Sequence, residues 1–159
     1  MTGKPSFAEK VAEIPEIAAC YKPGLQALGS YSQVIKVAST RDLRGSIFID
    51  ECSGIPNSKE FPKRWDYLFA YQEKILAVEV HPASGDNNVK DVIKKAEWLR
   101  NWLKNDGGKK LEVMHPYFFV ATGSVNVKNG SIGAKLAQKG IHSCGKVLDV
   151  EKEMKVLKY

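Results

Sequence analysis

Two apolar runs stand almost back to back in the middle of this chain, RWDYLFAY at residues 64–71 and KILAVEVH at residues 74–81, with only Gln72 and Glu73 between them. A two-residue spacer between strand-like runs allows little except a tight antiparallel hairpin, although Gln-Glu lacks the usual Asn-Gly turn chemistry. Both runs are apolar at consecutive positions, as strands covered on both faces tend to be. The hairpin therefore belongs inside a sheet that has layers packed above and below it.

The rest of the chain supplies those layers. Phe7, Val11, Ile14, Ile17 and Ala18 recur at near-helical spacing, with Ser6 and Glu9 placed to form a capping box and Pro15 able to break the helix. Strands are expected at residues 32–38 and 45–51, and residues 52–63, rich in Gly and Pro, read as loop. The strongest amphipathic pattern runs from Val89 through Val92, Ile93, Ala96 and Leu99 to Leu103, with Asn88 as cap and Gly107-Gly108 as stop. Trp98 and Trp102, one turn apart on it, read as core. Residues 115–121 form a further buried strand, 123–133 a Gly-rich loop, 134–139 a helical turn and 146–150 a last strand. A strand, a long helix and another strand in succession require a parallel crossover, whereas the hairpin is antiparallel. The expected fold is thus α/β, one domain over residues 1–159, with a mixed central β-sheet flanked by helices.

Composition narrows the function classes. A 43% hydrophobic and 26% charged chain is ordinary for a folded domain, and no run approaches the apolar length that spans a bilayer. The opening residues become charged before any apolar stretch develops, so no signal peptide is expected. Cys20, Cys52 and Cys144 are dispersed and odd in number, which suggests reduced thiols and a cytoplasmic setting. The same dispersion, without paired ligands, argues against a zinc site involving His142. A net charge of +6 favours a polyanionic partner such as nucleic acid.

One constellation carries chemistry. If Tyr71 faces Lys74 across the turn, Phe69 faces Leu76 and Asp66 faces Glu79. Directly opposed side chains sit about 5 Å apart at Cβ, and like charges there repel. Two carboxylates in so apolar a setting call for a cation between them, and Mg²⁺ is commonly held by one or two carboxylates plus water and phosphate. His81 projects from the same strand face as Glu79.

An acid on one strand, acid-x-base on the next, then an amphipathic helix and another strand, resembles the PD-(D/E)xK nuclease superfamily, which includes restriction endonucleases and Holliday junction resolvases. The resemblance covers roughly residues 7–122. It implies a restriction endonuclease-like αβββαβ core and Mg²⁺- or Mn²⁺-dependent endonucleolytic cleavage of nucleic acid, DNA foremost, in some relatives by a homodimer. It implies that Asp66 and Glu79 bind the metal with the backbone carbonyl of Val80, and that His81 stands where the family has lysine. Glu13 or Glu16 of the first helix matches a further family glutamate. Trp65 replaces the signature proline. Because imidazole carries no fixed charge, a cation from Lys63, Lys74 or Lys146 is a candidate substitute. The helix lysines and arginine, Lys90, Lys94, Lys95, Arg100 and Lys104, suit a phosphate backbone. Two other readings remain open. One is a degenerate member of the fold that binds nucleic acid or a protein without cutting. The other is an exposed cross-strand patch in which Arg64, Glu79, Asp66 and His81 simply pair their charges.

Overall fold

The hairpin forms in the expected register and sits at the centre of a six-stranded sheet. In a computed structural model, residues 3–81, 86–105, 107–123 and 131–157 are described. The elements in chain order are α1 (Phe7–Ala12), β1 (Tyr21–Lys22), β2 (Ile35–Lys36), β3 (Leu43–Phe48), β4 (Tyr67–Tyr71), β5 (Lys74–His81), α2 (Asp86–Leu103), β6 (Tyr117–Ala121), α3 (Ser131–Gln138), β7 (Ile141–Ser143), β8 (Leu148–Asp149) and α4 (Val150–Val156). The main sheet runs β1-β3-β4-β5-β6-β7, and β2 pairs with β8 in a separate ribbon. β1, β3, β4 and β5 are antiparallel neighbours, while β5, β6 and β7 are parallel. The mixed sheet follows from the connections: a two-residue turn can only reverse the chain, and α2 is long enough to carry it back for a parallel strand.

Both sheet faces are covered. Leu68 and Ala70 of β4, Ile75 and Ala77 of β5 and Phe119 of β6 pack beneath Phe7, Val11, Val92, Ala96 and Leu99 of α1 and α2. Phe69, Leu76, Val78 and Val120 face the other way, against Leu28, Ile35, Leu148 and Met154. Trp98 and Trp102 are buried and stacked at 6.1 Å between ring centroids, as their spacing suggests for core residues.

Several boundaries differ from the sequence reading, each for a local reason. α1 starts at its capping box, where Ser6 and Glu9 exchange hydrogen bonds of 3.1 Å, and stops at Ala12 ahead of Pro15. Ile14 and Ile17 are nonetheless fully buried in the turns that follow. Residues 32–38 hold only the two-residue β2, because a 3₁₀ segment (Gln26–Val34) occupies most of the stretch. β3 ends at Phe48 in another 3₁₀ turn, Ile49–Glu51. β7 and α4 were not expected. Asp149 caps α4 by accepting from the Lys152 amide, so the expected strand 146–150 is cut to two residues.

The cysteine expectation needs correction. Cys20 and Cys52 form a disulfide across 32 positions of sequence, and only Cys144 remains a thiol, buried. The Cα atoms lie 5.9 Å apart, in the range a disulfide requires. Dispersed spacing concealed the pair because the fold, not the sequence, brings the residue before β1 next to the end of the 3₁₀ turn after β3. No described helix is long and apolar enough to cross a membrane.

Tyr117 offers a first test. It lies fully buried against Trp65 and beneath the Arg100 guanidinium, and its hydroxyl has no hydrogen-bond partner among the described residues. Burial pushes this phenol up to about 12, the nearby Arg100 charge only partly opposing it. A folded pKa above the unfolded value near 10 means that stability is retained below pH 10 and lost as pH climbs toward 12. Tyr117→Phe is expected to gain about 1 kcal/mol at neutral pH by removing an unpaired buried hydroxyl. It should also show less alkaline destabilisation than the wild type in urea titrations at pH 8 and pH 11.

Candidate active site

The two acids converge on one buried point, and a lysine occupies it. Asp66 precedes β4 by one residue, and Glu79 lies on β5 across from it. Strand alternation puts Glu79 in line with Ile75 and Ala77, and Asp66 in line with Leu68 and Ala70, on the face that α2 covers. Glu79 is fully buried and Asp66 is 9% exposed. The Asp66 backbone N–H donates to Glu79 Oε1 at 3.0 Å, and the Val80 N–H donates to Asp66 Oδ2 at 3.3 Å. Each carboxylate thus spends one oxygen tying down the opposite strand, and aims the other at a shared position.

Lys95 of α2 reaches that position, its Nζ 2.5 Å from Glu79 Oε2 and 3.5 Å from Asp66 Oδ1. Lys95, expected from the sequence among the phosphate-tracking residues, is instead the cation beside the acids, a place for which the sequence offers Lys63, Lys74 or Lys146. The first of these is engaged elsewhere, since Lys63 pairs with Asp91 at 3.0 Å. Four and seven residues beyond Lys95 on the same helix lie the buried Leu99 and Trp102, so Lys95 belongs to the inward stripe. Its position in that stripe was the signal that could have identified it. Arg100 also turns in, donating to the Lys139 carbonyl and lying over Tyr117, which leaves Lys90 and Lys94 on α2 and Lys104 just past its end as the exposed basic set.

The electrostatics follow from burial. Loss of water pushes Glu79 well above the ordinary glutamate range, and the Asp66 charge adds to that; Lys95 pulls the other way. Burial works against the Lys95 ammonium, but Glu79 and then Asp66 outweigh it and hold its pKa above the usual value. Asp50, in the 3₁₀ turn after β3, is a third acid in the same field. Its backbone N–H donates to the Asp66 carbonyl at 3.4 Å. Its carboxyl is raised by partial burial and by Asp66, with Lys95 opposing. Asp50 also lines an open cleft of about 370 Å³ shared with Glu51, Ser53, Asn57 and Arg64.

Arg64 does not join the acids. Its guanidinium donates to the carbonyls of Cys52 at 2.8 Å, of Ile49 at 3.4 Å and of Ile55, and it lies over the Trp98 ring. With Glu79 fully buried as well, the exposed cross-strand patch that included Arg64 is ruled out. Glu16 is committed to the indole N–H of Trp102 at 3.1 Å, and Glu13 is the exposed C-cap residue of α1. His81 is the last residue of β5, its backbone in register with Ala121 of β6; its side chain lies outside the described part of the structure.

The donor set suits one small divalent ion, since two convergent carboxylate oxygens with water and a substrate phosphate can complete a Mg²⁺ shell. Among the described residues no group of three or more His, Cys, Asp or Glu side chains is arranged around a common metal position. A divalent ion would therefore have two protein carboxylates, and it would meet Lys95 at the point where they converge. No family model, curated protein or solved structure matches the chain.

Proposed function

We propose that this chain is a metal-dependent nuclease-like protein, with a restriction endonuclease-like core, that acts on nucleic acid, DNA foremost. The observation that carries the reading is the convergence of Asp66, Glu79 and Lys95 on one buried point within the same electrostatic field as Asp50, a residue of the neighbouring open cleft. Asp66 and Glu79 would hold Mg²⁺ or Mn²⁺, with the Val80 carbonyl as a further ligand. The bound cation supplies two things: a lowered pKa for a coordinated water and neutralisation of phosphate charge. Lys95 supplies the fixed positive charge that the imidazole of His81 lacks, and steadies charge developing on the phosphate. His81, at the end of β5, would take or pass on the proton. The exposed Lys90, Lys94 and Lys104 offer the backbone a row of cations. A cytoplasmic setting belongs to the same proposal, the Cys20–Cys52 bond then being an exception to the reduced thiols usual there.

One observation favours the second reading, a degenerate member of that fold that binds nucleic acid without cutting it. The carboxylate pair already has its counter-ion in Lys95, so the fold needs no metal to neutralise it. The two readings separate in a cleavage assay on plasmid and single-stranded substrates with Mn²⁺. The nuclease reading expects cleavage by the wild type and a loss of about a hundredfold or more in Glu79→Gln, the order that removal of a key electrostatic group costs. No cleavage in either, with salt-sensitive retention of nucleic acid that ignores metal, would leave only the second.

A further inference from the structure

We propose that the carboxylate pair is a single-cation site in which the Lys95 ammonium and a divalent metal exclude each other, so that the metal-free protein is held closed by its own lysine. This inference rests on the nuclease reading and adds a regulatory step to it. Its basis is geometric. Glu79 Oε1 and Asp66 Oδ2 are occupied by the backbone N–H groups of Asp66 and Val80. The oxygens left over are those that contact Lys95 Nζ, at 2.5 and 3.5 Å. Carboxylate–Mg²⁺ distances are about 2.1 Å. An ion bridging those two oxygens would stand where the ammonium stands, and two cations in contact in so dry a place repel strongly.

Lys95 has somewhere to go. Its side chain is 21% exposed, so Lys95 is not sealed inside the protein. Asp50 is the nearby acid outside the pair, its backbone bonded to that of Asp66 and its carboxyl within the field of Lys95. Moving toward Asp50 and the cleft would bring the ammonium from the inner pair to the substrate side. Metal entry and presentation of Lys95 to a phosphate would then be one event.

Two measurements test this without relying on turnover. The first is Mn²⁺ binding by calorimetry to wild type and Lys95→Met. The variant is expected to bind at least about tenfold tighter, because no internal cation competes. The second is acetylation of wild-type lysines by an N-hydroxysuccinimide ester, read by peptide mass spectrometry. Lys95 is expected to be the slowest on α2 without metal and to speed up several-fold with saturating Mg²⁺, while Lys90 and Lys94 do not change. Equal affinity in the two proteins, or unchanged Lys95 labelling at metal saturation, overturns the exchange and leaves the nuclease reading to its cleavage assay. Absence of binding in both proteins overturns the exchange and the metal reading together. If Lys95→Met does not fold, the labelling measurement on the wild type decides alone.

Discussion

Lys95→Met is expected to cost about 3 to 5 kcal/mol at pH 8, the range for breaking a buried ion pair from one side. The variant leaves Glu79 and Asp66 facing each other with no positive charge between them. Glu79 would answer by holding a proton, since burial and Asp66 already push it upward. A folded pKa above the unfolded one gives stability that is fully present below the unfolded value and is lost as pH rises through the folded value. The deficit of the variant should therefore shrink on acidification from pH 8 toward pH 5. Adding Glu79→Gln should recover most of the loss, because glutamine can still accept from the Asp66 N–H while removing one of the two negative charges. Apolar replacement of both acids should not recover it, because the amides of Asp66 and Val80 would lose their acceptors. Urea denaturation at pH 5 and pH 8 of the wild type, the single variant, the double variant and the variant with both acids made apolar checks all three statements. A Lys95→Met protein within about 0.5 kcal/mol of the wild type, the usual spread of surface substitutions, would mean that the ammonium is not the counter-ion of the pair.

Cys20→Ser is expected to cost about 3 to 4 kcal/mol under oxidising conditions, from the loop-closure entropy of a 32-residue separation. The link joins the end of a 3₁₀ turn before β1 to the residue that caps the Ile49–Glu51 turn, on which Asp50 sits. Cys52 also lends its carbonyl to Arg64. Loosening this strap should therefore disturb the cleft wall more than the hairpin. Thermal melts with and without a dithiol reductant provide the check. The wild type should lose stability on reduction, and Cys20→Ser should be indifferent to it. A wild type that melts identically in both conditions would show that the bond does not form in solution, as expected of a chain kept in a reducing compartment.

The hairpin was legible in the sequence because two independent constraints agreed: a spacer too short for anything but a turn, and apolar runs whose register follows from that turn. Once Tyr71 faces Lys74, the placement of Asp66 beside Glu79 follows, and the structure has this pairing. Periodicity found α2 for a similar reason, since 18 residues average out local noise. The shortest elements were the least legible. β1 and β7 have no counterpart in the sequence reading, and β2 and β8 are much shorter than the strands expected over 32–38 and 146–150. Tertiary partners hold all four over two or three residues, too few for a period to declare itself. Lys95 escaped because a lysine among lysines looks like a solvated face. Only its phase against Leu99 and Trp102 distinguishes it, and that phase matters only once something anionic is known to lie beneath. The disulfide escaped because proximity across 32 positions is a property of the folded chain.

The crossed hydrogen bonds at the mouth of the hairpin make the main chain a witness to the chemistry of the side chains. The amides of Asp66 and Val80 each end on a carboxylate of the other strand, so any change in the charge, proton or ion held there alters the acceptor that those two N–H groups feel. Their nuclear resonances should move together on titration or metal addition while most of the sheet stays still. The protein thus carries an isotope-visible gauge of its own site, readable without a substrate.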